Sequence, residues 1–277
     1  MNSFLKRALS GVVLVAVMVA AILCSAETLL VLALVIAAGS VQELFRLAFP
    51  KEKGVRGFVR CASTMLVCLL LIYTTYWVAW GGESLVTYLI VLPLLFLLVA
   101  FTIYNKHDRS PLKRVGVQLT AFVYIAVPMS LLVALEAGTA ASYTGWLVLF
   151  YVILIWINDV GAYLVGMSIG KHRLFERLSP KKSWEGFFGG LVLTVLASVF
   201  LGPRLTGMQN TPLWVWIIFG VVLTLSAVAG DLFESMLKRE AGVKDSGNGI
   251  PGHGGFLDRF DAMFISLPFV YTILWMV

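Results

Sequence analysis

Acidic side chains inside or at the edge of apolar helices are the residues of this sequence whose chemistry most needs explaining. Asp159 closes the apolar run WLVLFYVILIWIND, with Tyr163 four residues on along the same helical face. Asp231 and Glu234 stand three apart in GDLFESMLKR, and Asp258 and Asp261 repeat that spacing in FLDRFDA. Each pair would present two carboxylates on one helix face. An aspartate at the centre of a membrane helix costs at least about 2.5 kcal/mol on insertion scales, so such groups usually face a cavity and have a task. Several carboxylates converging from different helices would repel one another unless cations sat between them. The donors are all oxygen, which suits Mg²⁺ rather than zinc.

Two basic, glycine-containing stretches accompany the acids. One carries Lys171, His172, Arg173, Arg177, Lys181 and Lys182; the other carries Lys238, Arg239 and Lys244 and leads into KDSGNGIPGHGGFLDRFDA, Lys244–Ala262. Most basic residues at a membrane edge anchor the chain at anionic headgroups and fix its topology. Lys181, Lys182, Lys238, Arg239 and Lys244 stand beside the acids and glycines and are the better candidates for substrate phosphates. Gly247 to Gly252 spells GxGxxG, but a dinucleotide fingerprint needs a strand before it and a helix after it, and Pro251 lies inside the match. It is no Walker A loop either, because no Gly-Lys-Ser/Thr follows. The glycines would allow unusual dihedrals and close approach of backbone N–H groups to an anion. His253, flanked by Gly252 and Gly254, could donate a hydrogen bond to phosphate or bind a metal. Ser179-Pro180 reads as a helix start, with Ser179 as N-cap and another anion-favouring N-terminus behind it. Metals, basic side chains and backbone donors together suit phosphoryl or nucleotidyl transfer, where catalysis is mostly positioning and charge neutralisation.

The elements that must position these residues are membrane helices. Of 277 residues, 60% are hydrophobic and 13% charged, with mean hydropathy +0.92, against roughly 25% charged in soluble domains. Apolar runs are expected near 8–25, 27–45, 58–80, 84–104, 115–136, 144–169, 186–202, 213–237 and 261–277. The fold class is therefore all-α, a polytopic integral membrane protein of about nine transmembrane helices. Of the 21 Lys and Arg, 20 fall in alternate inter-span segments, and Arg204 is alone on the other side. Basic loops stay in the cytoplasm, so the N-terminus is expected to be cytoplasmic and the C-terminus outside. Residues 1–277 form one membrane domain in this reading, with 1–140 as hydrophobic scaffold helices and 141–277 as the catalytic half. In the first four spans the polar exceptions are Gln42 and Glu43. Cys24, Cys61 and Cys68 lie in or beside apolar segments and point to neither a disulfide nor a thiolate metal site. A transporter reading is weakened because no internal repeat is evident and the acids gather toward one face.

The stretch Ser235–Asp261, SMLKREAGVKDSGNGIPGHGGFLDRFD, resembles the signature of phosphatidate cytidylyltransferases, the CDP-diacylglycerol synthases, through all 27 positions. GDLFESMLKR and WINDVGAYLVGMSIGKHRLFERLSPKKSWEGF resemble this family too, so the likeness covers roughly residues 150–277. The sequence departs from the usual pattern at Val160 and Ala262, neither of them a charged position. The resemblance implies transfer of cytidylyl from CTP to phosphatidate, with pyrophosphate released and Mg²⁺ shielding charge; two cations are expected, the second of unassigned identity. It implies Asp231 and Asp258 as leading metal ligands and catalytic residues, with Asp261 and Asp159 next. Lys244, Asp245, His253 and Arg259 would orient nucleotide or phosphates; Ser179, Gly254 and Gly255 join the basic residues as substrate contacts. The expected partners are CTP, phosphatidate and the lipid bilayer, with no nucleic acid, and the assembly is left open between monomer and homodimer. The expected location is a bacterial inner membrane with a cytoplasmic active site. CDP-alcohol phosphotransferases also use intramembrane aspartates, but their DGxxAR signature is absent.

Overall fold

The computed structural model describes residues 3–52, 54–81, 88–105, 110–137, 142–250 and 254–276, with the side chains of 3–9 left aside. Helices α1 (Ser3–Cys24), α2 (Ala26–Ala48), α3 (Val55–Trp80) and α4 (Tyr88–Tyr104) come first. Then α5 (Pro111–Thr120) passes through a π-helical stretch, Ala121–Ala126, into α6 (Val127–Val133). Pro128, two residues past that stretch, has no N–H to continue an α ladder, the kind of place where wider geometry is tolerated. The chain continues with α7 (Trp146–Ile169), strands β1 (Arg173–Phe175) and β2 (Ser179–Ser183), α8 (Trp184–Leu205), α9 (Leu213–Glu240) and α10 (Leu257–Trp275). Among the described residues, the greater part of each apolar run expected from the sequence lies on helix. Among the described residues six are long and apolar enough to cross a membrane: Ala26–Ala48, Val55–Trp80, Pro111–Val133, Trp146–Ile169, Trp184–Leu205 and Leu213–Glu240. Ser10–Cys24 and Tyr88–Tyr104 are shorter apolar helices.

The chain divides into two compact units, and α10 runs through the division. Unit 1 comprises residues 1–143 and 243–260; unit 2 comprises 144–242 and 261–277. In unit 1, α2 starts on a reciprocal cap, the Ser25 hydroxyl accepting from Thr28 N and Thr28 Oγ1 accepting from Ser25 N. Its small residues Ala33, Ala37 and Ser40 are fully buried, which lets neighbouring helices come close. At the α2–α3 turn Glu52 receives both Arg60 and the buried Arg114, whose guanidinium lies 4.2 Å from the Phe49 ring centroid. That pair ties the start of α5 to the end of α2.

Unit 2 is built on a small-residue seam. Gly186, Gly190, Thr194, Ser198 and Gly202 recur every fourth position of α8, and all are buried. A Cβ at Gly190 would stand 2.9 Å from both Asn158 O and Oδ1 on α7. At Gly202 it would enter the Trp216 ring on α9, and Ser198 Oγ donates to Trp216 O at 2.8 Å. Phe150 packs edge-on against Trp216 and tilted against Phe219. With little hydrophobic drive between helices in lipid, such close backbone approach supplies much of the packing energy.

The helix start expected at Ser179-Pro180 is not there. Ser179–Ser183 is a strand, antiparallel to Arg173–Phe175, and the helix begins at Trp184. Ser183 supplies the cap, its hydroxyl accepting from Gly186 N at 3.2 Å. Pairing with β1 engages the backbone at Ser179, so the serine four residues later meets the extended geometry that an N-cap needs.

Candidate active site

In unit 2, three carboxylates are brought together. Asp231 and Glu234 on α9 and Asp261 on α10 each offer an oxygen, and these oxygens all lie within 4.8 Å of one another. A glycine makes the approach possible: a Cβ at Gly230 would collide with Asp261 O and stand 3.1 Å from Ala262 Cα. Helix α10 therefore passes directly over the residue preceding Asp231. Asp261 Oδ1 also accepts from Ala262 N at 2.7 Å.

Two ammonium groups answer the three carboxylates. Lys182, from β2, pairs with Asp231; Lys238 pairs with Glu234 one helical turn away, at 2.5 Å. Glu234 is buried, with 1% of its side chain exposed, so its charge is stable there only with a cation beside it. Burial pushes the Lys182 ammonium below the usual lysine range, while the charges of Asp261 and Asp159 draw it back up. Asp159, exposed on α7, thus acts on the same lysine. The donor set is oxygen only and carries more negative charge than its lysines neutralise. It fits a hard divalent cation such as Mg²⁺ held by Asp231, Glu234 and Asp261.

The other acidic position lies in unit 1. Asp258, in the first turn of α10, accepts on Oδ2 from Ser246 N, Ser246 Oγ and Gly255 N, each at 2.9 Å. Glu43 of α2 accepts on Oε1 from Phe256 N and on Oε2 from Leu257 N and Ser246 Oγ, each at 3.0 Å. The N–H groups of Gly255, Phe256 and Leu257, which an anion at the start of α10 would use, are thereby committed to the protein's own carboxylates. Gly254 takes φ +88, a conformation that favours glycine.

Lys181, Arg239, Lys244, Asp245 and Arg259 are exposed, and Ser179 is half-buried at the start of β2. Gly255 is buried. His253 lies outside the described residues. Asp231 and Asp261 stand in the expected ligand set and Glu234 does not, although its i, i+3 spacing from Asp231 is the available signal. Glu43 was passed over as part of a scaffold helix; a lone acid in an apolar span was the signal there.

The cytidylyltransferase family pattern matches residues 5–277. A phosphatidate cytidylyltransferase of Bacillus subtilis is 34% identical over 244 residues, covering 87% of each chain. One from Staphylococcus aureus (strain COL) is 29% identical over 270 residues, 97% of this chain and 98% of that one. The Staphylococcus saprophyticus phosphatidate cytidylyltransferase is 28% identical over 268 residues, 97% of this chain and 98% of its own length. The chain belongs to the cytidylyltransferase family.

Proposed function

We propose that the protein transfers the cytidylyl group of CTP to phosphatidate, giving CDP-diacylglycerol and pyrophosphate, at the cytoplasmic face of a bacterial inner membrane. The carboxylate cluster Asp231, Glu234 and Asp261, with Lys182 and Lys238 against it, is the observation that carries the reading. A phosphatidate oxygen forms a bond to the α-phosphorus of CTP while the bond from that phosphorus to the β-phosphate bridging oxygen breaks, and pyrophosphate leaves. A phosphate monoester is largely ionised near neutral pH, so the nucleophile needs no side chain to deprotonate it.

Bound Mg²⁺ would supply charge neutralisation for the phosphates. The chain's own residues hold it and complete the neutralisation. Asp231, Glu234 and Asp261 are the cation ligands, and Asp159 adds negative charge nearby. Lys182 and Lys238, paired with the carboxylates that would hold the cation, would meet the phosphates, and the exposed Lys181, Arg239 and Lys244 would add further positive charge. Asp258 organises the backbone around Ser246 and Gly255, and Lys244, Asp245, His253, Gly254 and Arg259 are kept as candidate nucleotide or phosphate contacts on the strength of the family resemblance. The charge alternation of the loops supports a cytoplasmic site, since Lys181, Lys182, Lys238, Arg239 and Lys244 lie in segments on the basic side. Residues 1–277 act as one membrane domain with nine crossings, binding CTP from the cytoplasm and lipid from the bilayer.

The test is direct. Detergent-purified protein given phosphatidate, Mg²⁺ and CTP labelled in its cytosine should yield a labelled lipid that comigrates with CDP-diacylglycerol. No labelled lipid from well-folded protein across a range of phosphatidates would overturn the proposal.

A further inference from the structure

We propose that Glu43 is a positioning residue for the reaction, an internal anion around which the glycine-rich connection into α10 is folded; this rests on the cytidylyl-transfer reading. Glu43 sits on α2, 203 residues away in sequence from the serine it holds. Only 3% of it is exposed, yet it belongs to neither the basic loops nor the three-carboxylate cluster. Its two oxygens take the Phe256 and Leu257 N–H groups and the Ser246 hydroxyl. The glycines of the connection are shaped to this carboxylate. A Cβ at Gly247 would stand 2.6 Å from Glu43 Oε1, one at Gly249 3.0 Å from the same oxygen, and one at Gly255 would collide with Oε2 and with Ser246 Oγ. Gly39, one turn before Glu43, leaves the space for the Phe256 ring, where its own Cβ would collide. Gly247, Gly249 and Gly255 are thus accounted for by a protein carboxylate.

The link to the reaction runs through Ser246. Its hydroxyl touches Glu43 Oε2 and Asp258 Oδ2, while its N–H goes to Asp258 as well. Glu43 therefore holds the backbone at Phe256 and Leu257 and the Ser246 side chain and, through the serine, constrains the rotamer of Asp258. Substituting Gln keeps the volume but offers one carbonyl oxygen and an NH₂ in place of two acceptors. One of the Phe256 and Leu257 donors then loses its partner, and a buried unpaired donor disfavours this local arrangement of the connection.

The experiment compares wild type, Glu43→Gln, Glu43→Asp and Ser246→Ala in the labelled-CTP assay, with Glu27→Gln on the same helix as control. Glu43→Gln should lower kcat about tenfold to a hundredfold, the range expected for one unpaired buried donor, with the KM for phosphatidate changed less than twofold. Hydrogen exchange should quicken in the peptide covering 246–257 and nowhere else, and the unfolding temperature should hold. Ser246→Ala should lower kcat in the same direction, and Glu27→Gln should match wild type. If Glu43→Gln does not fold, Ser246→Ala and Glu43→Asp decide. Variants with more than half the wild-type kcat, or losses that merely follow the folded fraction, would overturn the role of Glu43. An inactive wild type would instead strike the cytidylyl-transfer reading.

Discussion

Asp261 is the residue on which the proposed cation site most depends, because among its three carboxylates it alone comes from α10 while Asp231 and Glu234 share α9. Replacing it with Asn removes one ligand charge and keeps the shape. Turnover should fall about a hundredfold or more, the scale of the several kcal/mol a metal ion contributes to charge stabilisation. Stability should move the other way. Without a cation, three carboxylates within 4.8 Å repel, so Asp261→Asn should unfold at the same temperature as wild type or higher when chelator is present. A variant equally active, or inactive only because it is unfolded, would remove Asp261 from the site. Lys182→Met gives the complementary test. Losing the ammonium paired with Asp231 should tighten Mn²⁺ binding in the absence of nucleotide by about tenfold, well within the interaction of adjacent charges near a protein surface, while turnover falls. Unchanged or weaker Mn²⁺ binding would contradict the competition.

At the scale of elements, glycines decide where helices may touch. Gly230 and Gly190 are both buried contacts in unit 2, but only Gly230 lies under Asp261. Gly190→Val should cost about 1 to 3 kcal/mol by overpacking and leave the turnover of the folded fraction unchanged. Gly230→Ala should cost a similar amount and also lower turnover, because it pushes Asp261 away from Asp231 and Glu234. Thermal unfolding in detergent beside turnover per folded molecule separates the two. The helices themselves were legible, since apolar runs of about 20 residues have few other uses, and so was the pairing of acids by spacing. Two features were not. Ser179-Pro180 carries a sound local cap signal, but the strand pairing with Arg173–Phe175 is a contact the local sequence does not announce. The glycines of the connection point to an anion, and beside Gly247, Gly249 and Gly255 stands the carboxylate of Glu43, from a helix far away in sequence. Local chemistry was readable; the identity of a distant partner was not.

For the whole molecule, the basic-loop alternation predicts that the 171–182 segment is cytoplasmic and the segment around Arg204 outside. In a background without Cys24, Cys61 and Cys68, an impermeant maleimide should label Asn210→Cys in intact cells. It should reach Glu176→Cys only after permeabilisation. The reverse pattern would invert the topology and separate the site from cytoplasmic CTP. The measurement that bears most directly on nucleotidyl transfer at the acidic cluster follows two labels at once, one on the α-phosphorus of CTP and one on the γ-phosphorus. With phosphatidate and Mg²⁺, the α label should enter the lipid and the γ label should leave as pyrophosphate, and both should stop when the divalent cation is chelated. Label from the γ-phosphorus in the lipid, or transfer that persists in chelator, would contradict it.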